Sequence, residues 1–340
     1  MADPAETHQP SPILFFETIN AYQRSAALKA AIELDLFTAV AEGTRTTEEL
    51  ARRCGASQRG MRTLCDYLTV IGFLTKDGKR YGLTVDSDTF LNRRSPSCLA
   101  TAVKFLTSPL LTENFKDLAA AVRKGGTVSG EQGTLAPEHP IWVEFASAMA
   151  PMMALPAESI AKLLDARSGA RWKVLDIAAG HGLFGITLAR HNPNAEVFAL
   201  DWPNVLEVAR ENARAAGVDG RCRTIPGSAF EADFGSSYDI VLITNFLHHF
   251  DPPTCVRLLR KVHAALVERG RAVTLEFVPD EDRVSPPMAA AFSLTMLATT
   301  PSGDAYTFSE YERMFRDAGF SGSELHELPP SAHRLIISTK

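Results

Sequence analysis

Hydrophobic spacing changes character twice along this chain. From residue 11 to about 40, in a stretch that includes FFETINAYQRSAALKAAIELDLFTAV, apolar residues recur at mixed three- and four-residue intervals among alanines and leucines. That is the spacing of a helix face. Thr46 or Thr47 can then cap a short helix over EELARRC, Gly55 ends it, and Ser57 caps a second helix. KDG (76–78) turns between two short strands. Helix, turn, helix and hairpin is a winged-helix order, and it predicts a mainly α-helical domain over 12–95. Residues 96–165 are helical again, interrupted by the loop GGTVSGEQGT (125–134) and by Pro137, Pro140, Pro151 and Pro156.

From about residue 171 short apolar runs alternate with amphipathic stretches. The pattern predicts strands over 173–178, 196–200, 222–226, 238–244 and 271–278, with helices over 183–191, 203–216 and 254–267. Such alternation builds a parallel sheet covered by helices on both faces. The end departs from it: after a helix over 307–318, two strand-like runs meet across PPSA (329–332), a hairpin that adds an antiparallel strand. The fold class is therefore α/β. A Rossmann-like seven-stranded core over 166–340 closes with the C-terminal hairpin, follows a helical lead-in over 96–165, and carries the winged-helix domain in front.

Composition narrows the function classes. The 340 residues leave room for two domains, and 45% hydrophobic with 22% charged residues is ordinary globular content. A net charge of -5 argues against a protein that coats nucleic acid or an acidic membrane. Five scattered cysteines without a CxxC read as reduced thiols, not as a zinc site or disulfide framework. MADPAETHQPSP lacks the basic and apolar regions of a secretory signal, and no apolar run is long enough to span a bilayer. The expectation is a cytoplasmic protein. One segment stands apart: Arg45, Arg52, Arg53, Arg59, Arg62, Lys76, Lys79 and Arg80 face Glu48, Glu49, Asp66 and Asp77, a local excess of four positive charges. That excess would suit phosphate contacts, so a DNA-binding regulator that senses a small molecule is an alternative. Apolar residues fill the would-be recognition helix, MRTLCDYLTVIGFL, and favour the pairing of two chains over nucleic-acid binding.

VLDIAAGHGLFG (174–185) runs a strand into glycines and then a helix, with Gly180, Gly182 and Gly185 fitting G-x-G-x-x-G. The glycines let the backbone turn and approach a ligand, whose polar groups meet free N–H groups at the helix start. Asp201 ends the next strand, placed to accept hydrogen bonds from ribose hydroxyls. The motif alone admits NAD(P) or S-adenosylmethionine. Asp176, inside the first strand, favours the latter, because a carboxylate there can face an amino-acid ammonium and gains nothing from a pyrophosphate. The hairpin favours it too, standing where a dinucleotide would need a second nucleotide-binding half.

VLDIAAGHG, LDWPNVLEVA, LHHF and GDAYTFSEYERMFRDAGF together resemble the class I S-adenosylmethionine-dependent methyltransferases. The closest likeness is to small-molecule O-methyltransferases of the caffeate, acetylserotonin and bacterial polyketide type. The resemblance runs from about residue 15 to the end and implies a homodimer formed through the winged-helix domain. A C-methyltransferase of the bacteriochlorophyllide type shares this architecture and is an alternative. The resemblance implies that Gly180 and Gly182 contact the methionine part of the cofactor and Asp201 its ribose, with Trp202 beside the adenosine. GSAF (227–230) matches the adenine segment: Ser228 stands where an aspartate usually meets the adenine amino group, Ala229 follows, and Phe230 lines the ring. Asn245 becomes a cofactor-side contact.

The same resemblance aligns His248, the first histidine of LHHF, with the family's general base, and leaves His249 as the alternative base. Glu276, at the end of the fifth strand, takes the place of the glutamate that orients the base. The position of a second orienting glutamate is Ala305, with Asp304 beside it. Phe145, Met149, Met152, Met153, Met288, Phe292 and Met296 recur in two helical stretches that wall the acceptor site in the family, and Phe145, Met149, Phe292 and Met296 are the substrate candidates. Adjacent histidines diverge in direction and no acidic cluster accompanies them, so the pair reads as no metal site. The expected acceptor is a mostly apolar, planar, hydroxylated molecule.

Overall fold

Thr46 and Glu49 fix the first turn of the helix Thr47–Arg53 by a capping box. The Thr46 hydroxyl accepts from the Glu49 N–H at 3.3 Å, and the Glu49 carboxylate accepts from the Thr46 N–H at 3.0 Å. Ser57 caps the helix Gln58–Val70 by accepting from the Gly60 N–H. Strands β1 (Leu74–Asp77) and β2 (Arg80–Leu83) then pair antiparallel, completing the winged-helix order. The structure, a computed structural model, describes residues 9–340. They form two compact units that divide between Val103 and Lys104.

The helical run expected over residues 11–40 is instead three helices, Ile13–Ile19, Ala21–Glu33 and Leu36–Ala41. Asn20 turns its side-chain amide back to the Phe16 carbonyl at 2.9 Å, a local bond that competes with the helix ladder. Asp35 adopts a left-handed φ of 55° and ends the second helix. The core of this unit gathers Leu36, Phe37, Leu50, Met61, Cys65, Leu68 and Tyr81. In contrast, Ile13, Leu14, Phe15, Phe16, Ile19 and Tyr22 are all more than half exposed. Four of the eight basic residues are engaged internally: Arg52 with Glu48, Arg53 with Asp35 and Glu42, and both Arg62 and Lys76 with Asp66.

In the second unit the apolar runs become β3 (Trp172–Ile177), β4 (Ala195–Asp201), β5 (Cys222–Pro226), β6 (Tyr238–Thr244) and β7 (Leu266–Glu276). The hairpin supplies β8 (Gly322–Glu327) and β9 (Arg334–Thr339). The sheet order is β5-β4-β3-β6-β7-β9-β8, and β9 alone runs against the rest. Alternation along β3 sends Val174 to one apolar cluster and Leu175 and Ile177 to the other, so both faces are buried. The chain builds leftward from β3 to β5 and then crosses back to β6. Ligands bind at such a reversal, beyond the carboxyl ends of the strands. Ile177 of β3 is in register with Ile243 of β6, so the glycine loop and the NFLHHF turn leave the same edge side by side.

Gly185 is the third glycine of the motif, and its role is packing. A Cβ there would meet Val197 Cγ1 at 2.6 Å and Asp176 Oδ2 at 3.1 Å. Overpacking of this kind costs about 1–3 kcal/mol. Gly185→Ala should lower the unfolding free energy by that amount in a urea titration, with unchanged m-value; an unchanged midpoint would show that the helix Leu183–His191 can move off the sheet.

Candidate active site

Beyond β3 the backbone takes positive φ at Ala178 (52°), Gly180 (56°) and Gly182 (70°), turning sharply into the helix Leu183–His191. Asp201, at the end of β4, braces that loop: Oδ2 accepts from the Gly180 N–H at 2.8 Å and Oδ1 from the Trp202 N–H at 2.7 Å. Burial pushes its carboxyl up to about 6, while the two backbone donors pull the other way. Asp176 is completely buried. Its Oδ2 accepts from the Gly185 N–H at 3.2 Å, and its Oδ1 has no hydrogen-bond partner. Burial pushes this carboxyl up to about 8. An orphaned carboxylate oxygen is what a cationic ligand group satisfies, so this corner fits the ammonium of an amino-acid-bearing cofactor. At Gly180 an added Cβ would stand in ordinary contact with the Phe145 ring at 3.8 Å, so what the glycine supplies there is its positive φ.

The other predicted cofactor residues lie on the loops beyond β4, β5 and β6. Trp202 is the residue before the helix Pro203–Ala215. Ser228 Oγ accepts from the Phe230 N–H at 3.2 Å, which leaves its hydroxyl hydrogen to donate. Ala229 is buried, and the Phe230 ring stands edge-on to Phe250 with centroids 5.0 Å apart. Asn245 has a left-handed φ of 53°; its N–H donates to the Leu275 carbonyl and its amide lies 3.7 Å from the Met153 sulfur.

The histidine pair sits in a single 3-10 turn, Leu247–His249, directly after β6. Glu276 reaches it from the end of β7. One carboxylate oxygen accepts from the N–H groups of Phe246 (3.0 Å) and Leu247 (2.8 Å), and the other from Nδ1 of His248. Glu276 is fully buried and His248 is 3% exposed. With its Nδ1 hydrogen given to the carboxylate, the His248 ring presents Nε2 as a lone pair, a tautomer assigned here from the partner. His249 packs against it with centroids 4.2 Å apart and stands edge-on to Trp142 at 5.1 Å. Its Nδ1 has no partner; burial, and then His248, hold its pKa well below the usual histidine range. Two adjacent imidazoles therefore differ in one respect: only His248 is backed by a carboxylate.

Asp304 does not supply a second one. Its Oδ2 lies 3.2 Å from the Arg283 guanidinium and its Oδ1 accepts from the Ala305 N–H, while Ala305 itself is buried. Among the acceptor candidates, Phe292 stands edge-on to His248 at 4.8 Å, and Phe145 stacks on His181 with centroids 6.2 Å apart. Met149 and Met296 are buried, whereas Met288 is 67% exposed. Sequence reading missed Trp142, His181 and Phe277 as neighbours of these groups. Only His181, lying between two motif glycines, carried a local signal.

Residues 115–321 match the family model of the O-methyltransferase domain, and residues 16–93 that of the O-methyltransferase dimerisation domain. The chain belongs to the S-adenosylmethionine-dependent O-methyltransferase family. The methyltransferase is 29% identical over 316 residues to 3-hydroxy-5-methyl-1-naphthoate 3-O-methyltransferase of Streptomyces sahachiroi, covering 91% of this chain and 90% of the relative. A crystal structure of a candidate O-methyltransferase from Nostoc punctiforme superposes with a TM-score of 0.94 at 58% identity, covering 98% of this chain and 100% of the other. Human N-acetylserotonin methyltransferase, solved with S-adenosylmethionine, shares the fold with a TM-score of 0.83 at 22% identity, with 99% of each chain covered. Among the described residues no helix is long and apolar enough to cross a membrane.

The two raised carboxyls of the methyltransferase give a pH signature. Folded Asp176 and Asp201, at about 8 and about 6, hold protons that the unfolded chain releases near its ordinary 3.8. Each contributes stability that is fully present below the ordinary value and lost as pH rises through the folded one. Between pH 6 and 8 the loss comes from Asp176. Buried histidines with lowered pKa add an opposing rise near pH 6.5. That rise is common to the parent and to Asp176→Asn, so the test is the difference between them. In urea titrations of the cofactor-free protein, Asp176→Asn should gain stability relative to the parent between pH 6 and 8 and exceed it at pH 8. Equal slopes for the two proteins would refute the assignment.

Proposed function

We propose that this methyltransferase transfers the methyl group of S-adenosylmethionine to a hydroxyl of a small, mostly apolar aromatic or polycyclic acceptor, with His248 as general base. The observation that carries the reading is the buried His248–Glu276 pair at the reversal point of the sheet, beside the glycine loop. When bound, the cofactor offers an electrophilic methyl group on a sulfonium. The protein must then align an acceptor oxygen in line with that methyl group and remove its proton. A phenol near pH 10 yields its proton poorly to water, whereas Nε2 of a neutral imidazole is a suitable acceptor. Glu276 fixes the ring and offsets the charge that His248 gains.

For the cofactor, Asp176 is assigned to the ammonium, Gly180 and Gly182 to close backbone approach and Asp201 to the ribose. Trp202, Ser228, Ala229 and Phe230 surround the adenine side, and Asn245 adds a contact between the two. Phe145, Met149, Phe292 and Met296 are assigned to the acceptor wall, a surface of rings and sulfurs suited to flat molecules. The naphthoate specificity of the Streptomyces relative supports such an acceptor. The exposed apolar residues of the first two helices, of which Phe16, Ile19 and Tyr22 lie within the dimerisation match, support a homodimer formed through a winged-helix domain over 12–95, with the catalytic domain over 96–340. The protein is assigned to the cytoplasm, with no nucleic-acid partner.

Turnover measured with labelled S-adenosylmethionine and a panel of hydroxynaphthalenes and hydroxyanthraquinones tests the acceptor class. His248→Ala should cut kcat by about 10²–10⁴-fold and leave the affinity for S-adenosylhomocysteine unchanged. Glu276→Gln should lower kcat in the same direction. If His249→Ala has the larger effect, the base is the second histidine. If neither histidine matters, a carbon acceptor of the kind used by C-methyltransferases gains ground.

A further inference from the structure

The C-terminal hairpin brings a third histidine to this neighbourhood, and nothing in the chemistry above uses it. His333 lies in the turn between β8 and β9 and is 5% exposed. Its ring is held on two sides. Ser331 Oγ accepts from the His333 N–H at 3.1 Å and lies 3.1 Å from Nδ1. One ring face packs on Phe277 with centroids 4.1 Å apart. Phe277 in turn stacks on Phe292 at 4.1 Å and 26°, and Phe292 stands edge-on to His248. Four rings thus form one wall that runs from the hairpin to the base.

Hydrogen bonding leaves one nitrogen of the ring unmatched. Ser331 Oγ, having accepted the backbone hydrogen, keeps its own hydrogen and a second lone pair, so Nδ1 can accept from it or donate to it. When Nδ1 accepts, the ring hydrogen sits on Nε2, which is buried and has no partner. A buried donor without an acceptor is costly, and such groups normally find one in protein, water or ligand. Burial and the neighbouring His248 both disfavour the charged ring, pushing His333 down to about 4, so it stays neutral across the working range. Shape alone does not require an imidazole here, since a phenyl ring would fill the stack and carry no unpaired donor.

We propose that His333 is a specificity-determining residue whose Nε2–H donates to an oxygen on the acceptor's ring system, a carbonyl or second hydroxyl beside the hydroxyl presented to His248. The inference rests on the hydroxyaromatic reading of the acceptor and sharpens it: the preferred substrates are oxygenated at a second, neighbouring position.

Steady-state kinetics on 1-naphthol and 1,8-dihydroxynaphthalene, which differ only in that second oxygen, test it in the full-length protein at saturating S-adenosylmethionine. His333→Phe keeps a ring in the stack and removes the donor. It should raise KM for the diol about tenfold, with kcat and the KM for 1-naphthol nearly unchanged. Ser331→Ala leaves the imidazole but frees its tautomer, and should shift the diol KM in the same direction by a smaller factor. An equal rise for both compounds would mean a packing role, and a fall in kcat with both KM values unchanged would mean that the wall only positions His248. Either result overturns the inference, as does the absence of any change in both variants. If the parent enzyme methylates neither compound, the hydroxyaromatic reading fails and this inference with it; if it methylates both and the variants match it, this inference fails alone.

Discussion

A single buried carboxylate organises the catalytic edge. Glu276 has no exposed surface, so its charge must be met by donors within the protein. It finds them in the N–H groups of Phe246 and Leu247 and in the His248 imidazole. The same contacts tie the end of β7 to the turn after β6, set the ring's orientation and select its tautomer. Removing the carboxylate would therefore release two orphaned backbone donors as well as the His248 ring. That coupling explains why a 3-10 turn bearing two adjacent histidines presents them so unequally: His249 has rings around it and no acceptor behind it.

On the other side of the reversal point the electrostatics are left incomplete. Asp176 and Asp201 are buried near one another, and burial raises both carboxyls, with Asp201 adding a further rise at Asp176. Backbone donors from Gly180, Gly185 and Trp202 compensate only part of this. A site held this way favours a ligand that brings a positive charge, because the ligand returns Asp176 to the ionised form that its surroundings otherwise penalise. The glycine loop and the carboxylates are thus one device: the first allows close approach and the second chooses the charge of what approaches.

Much of this was legible in the sequence because it is local. Strand ends follow from short apolar runs; the loop follows from three glycines at fixed spacing. The predicted strands 222–226 and 238–244 and helix 183–191 coincide with the elements observed. Glu276 was legible as a strand-end carboxylate aligned with a family pattern. What escaped was non-local or conformational. Nothing in the spacing of residues 11–40 announces that Asp35 takes a left-handed φ. Asp304 is adjacent to the expected glutamate position, and only the fold reveals that Arg283, twenty-one residues earlier in the chain, claims it. The wall of His333, Phe277 and Phe292 joins three elements distant in sequence, and a histidine in a Pro-Pro-Ser-Ala-His turn has no periodicity to betray its burial.

The alanine at position 305 shows how the turn is held without a second carboxylate. Tyr306, the next residue, donates its hydroxyl to the Phe250 carbonyl at 2.7 Å, and the Cys255 thiol lies 3.2 Å from the Leu247 carbonyl. The segment around His248 is therefore gripped at its N–H groups by Glu276 and at its carbonyls by neutral donors. A neutral grip adds orientation without adding negative charge beside the imidazole. A second buried carboxylate would be one more charge for which the fold would have to find donors. With Glu276 alone supplying charge, the His248 segment is held from two sides but faces a single carboxylate, an arrangement compatible with the general-base role proposed for it.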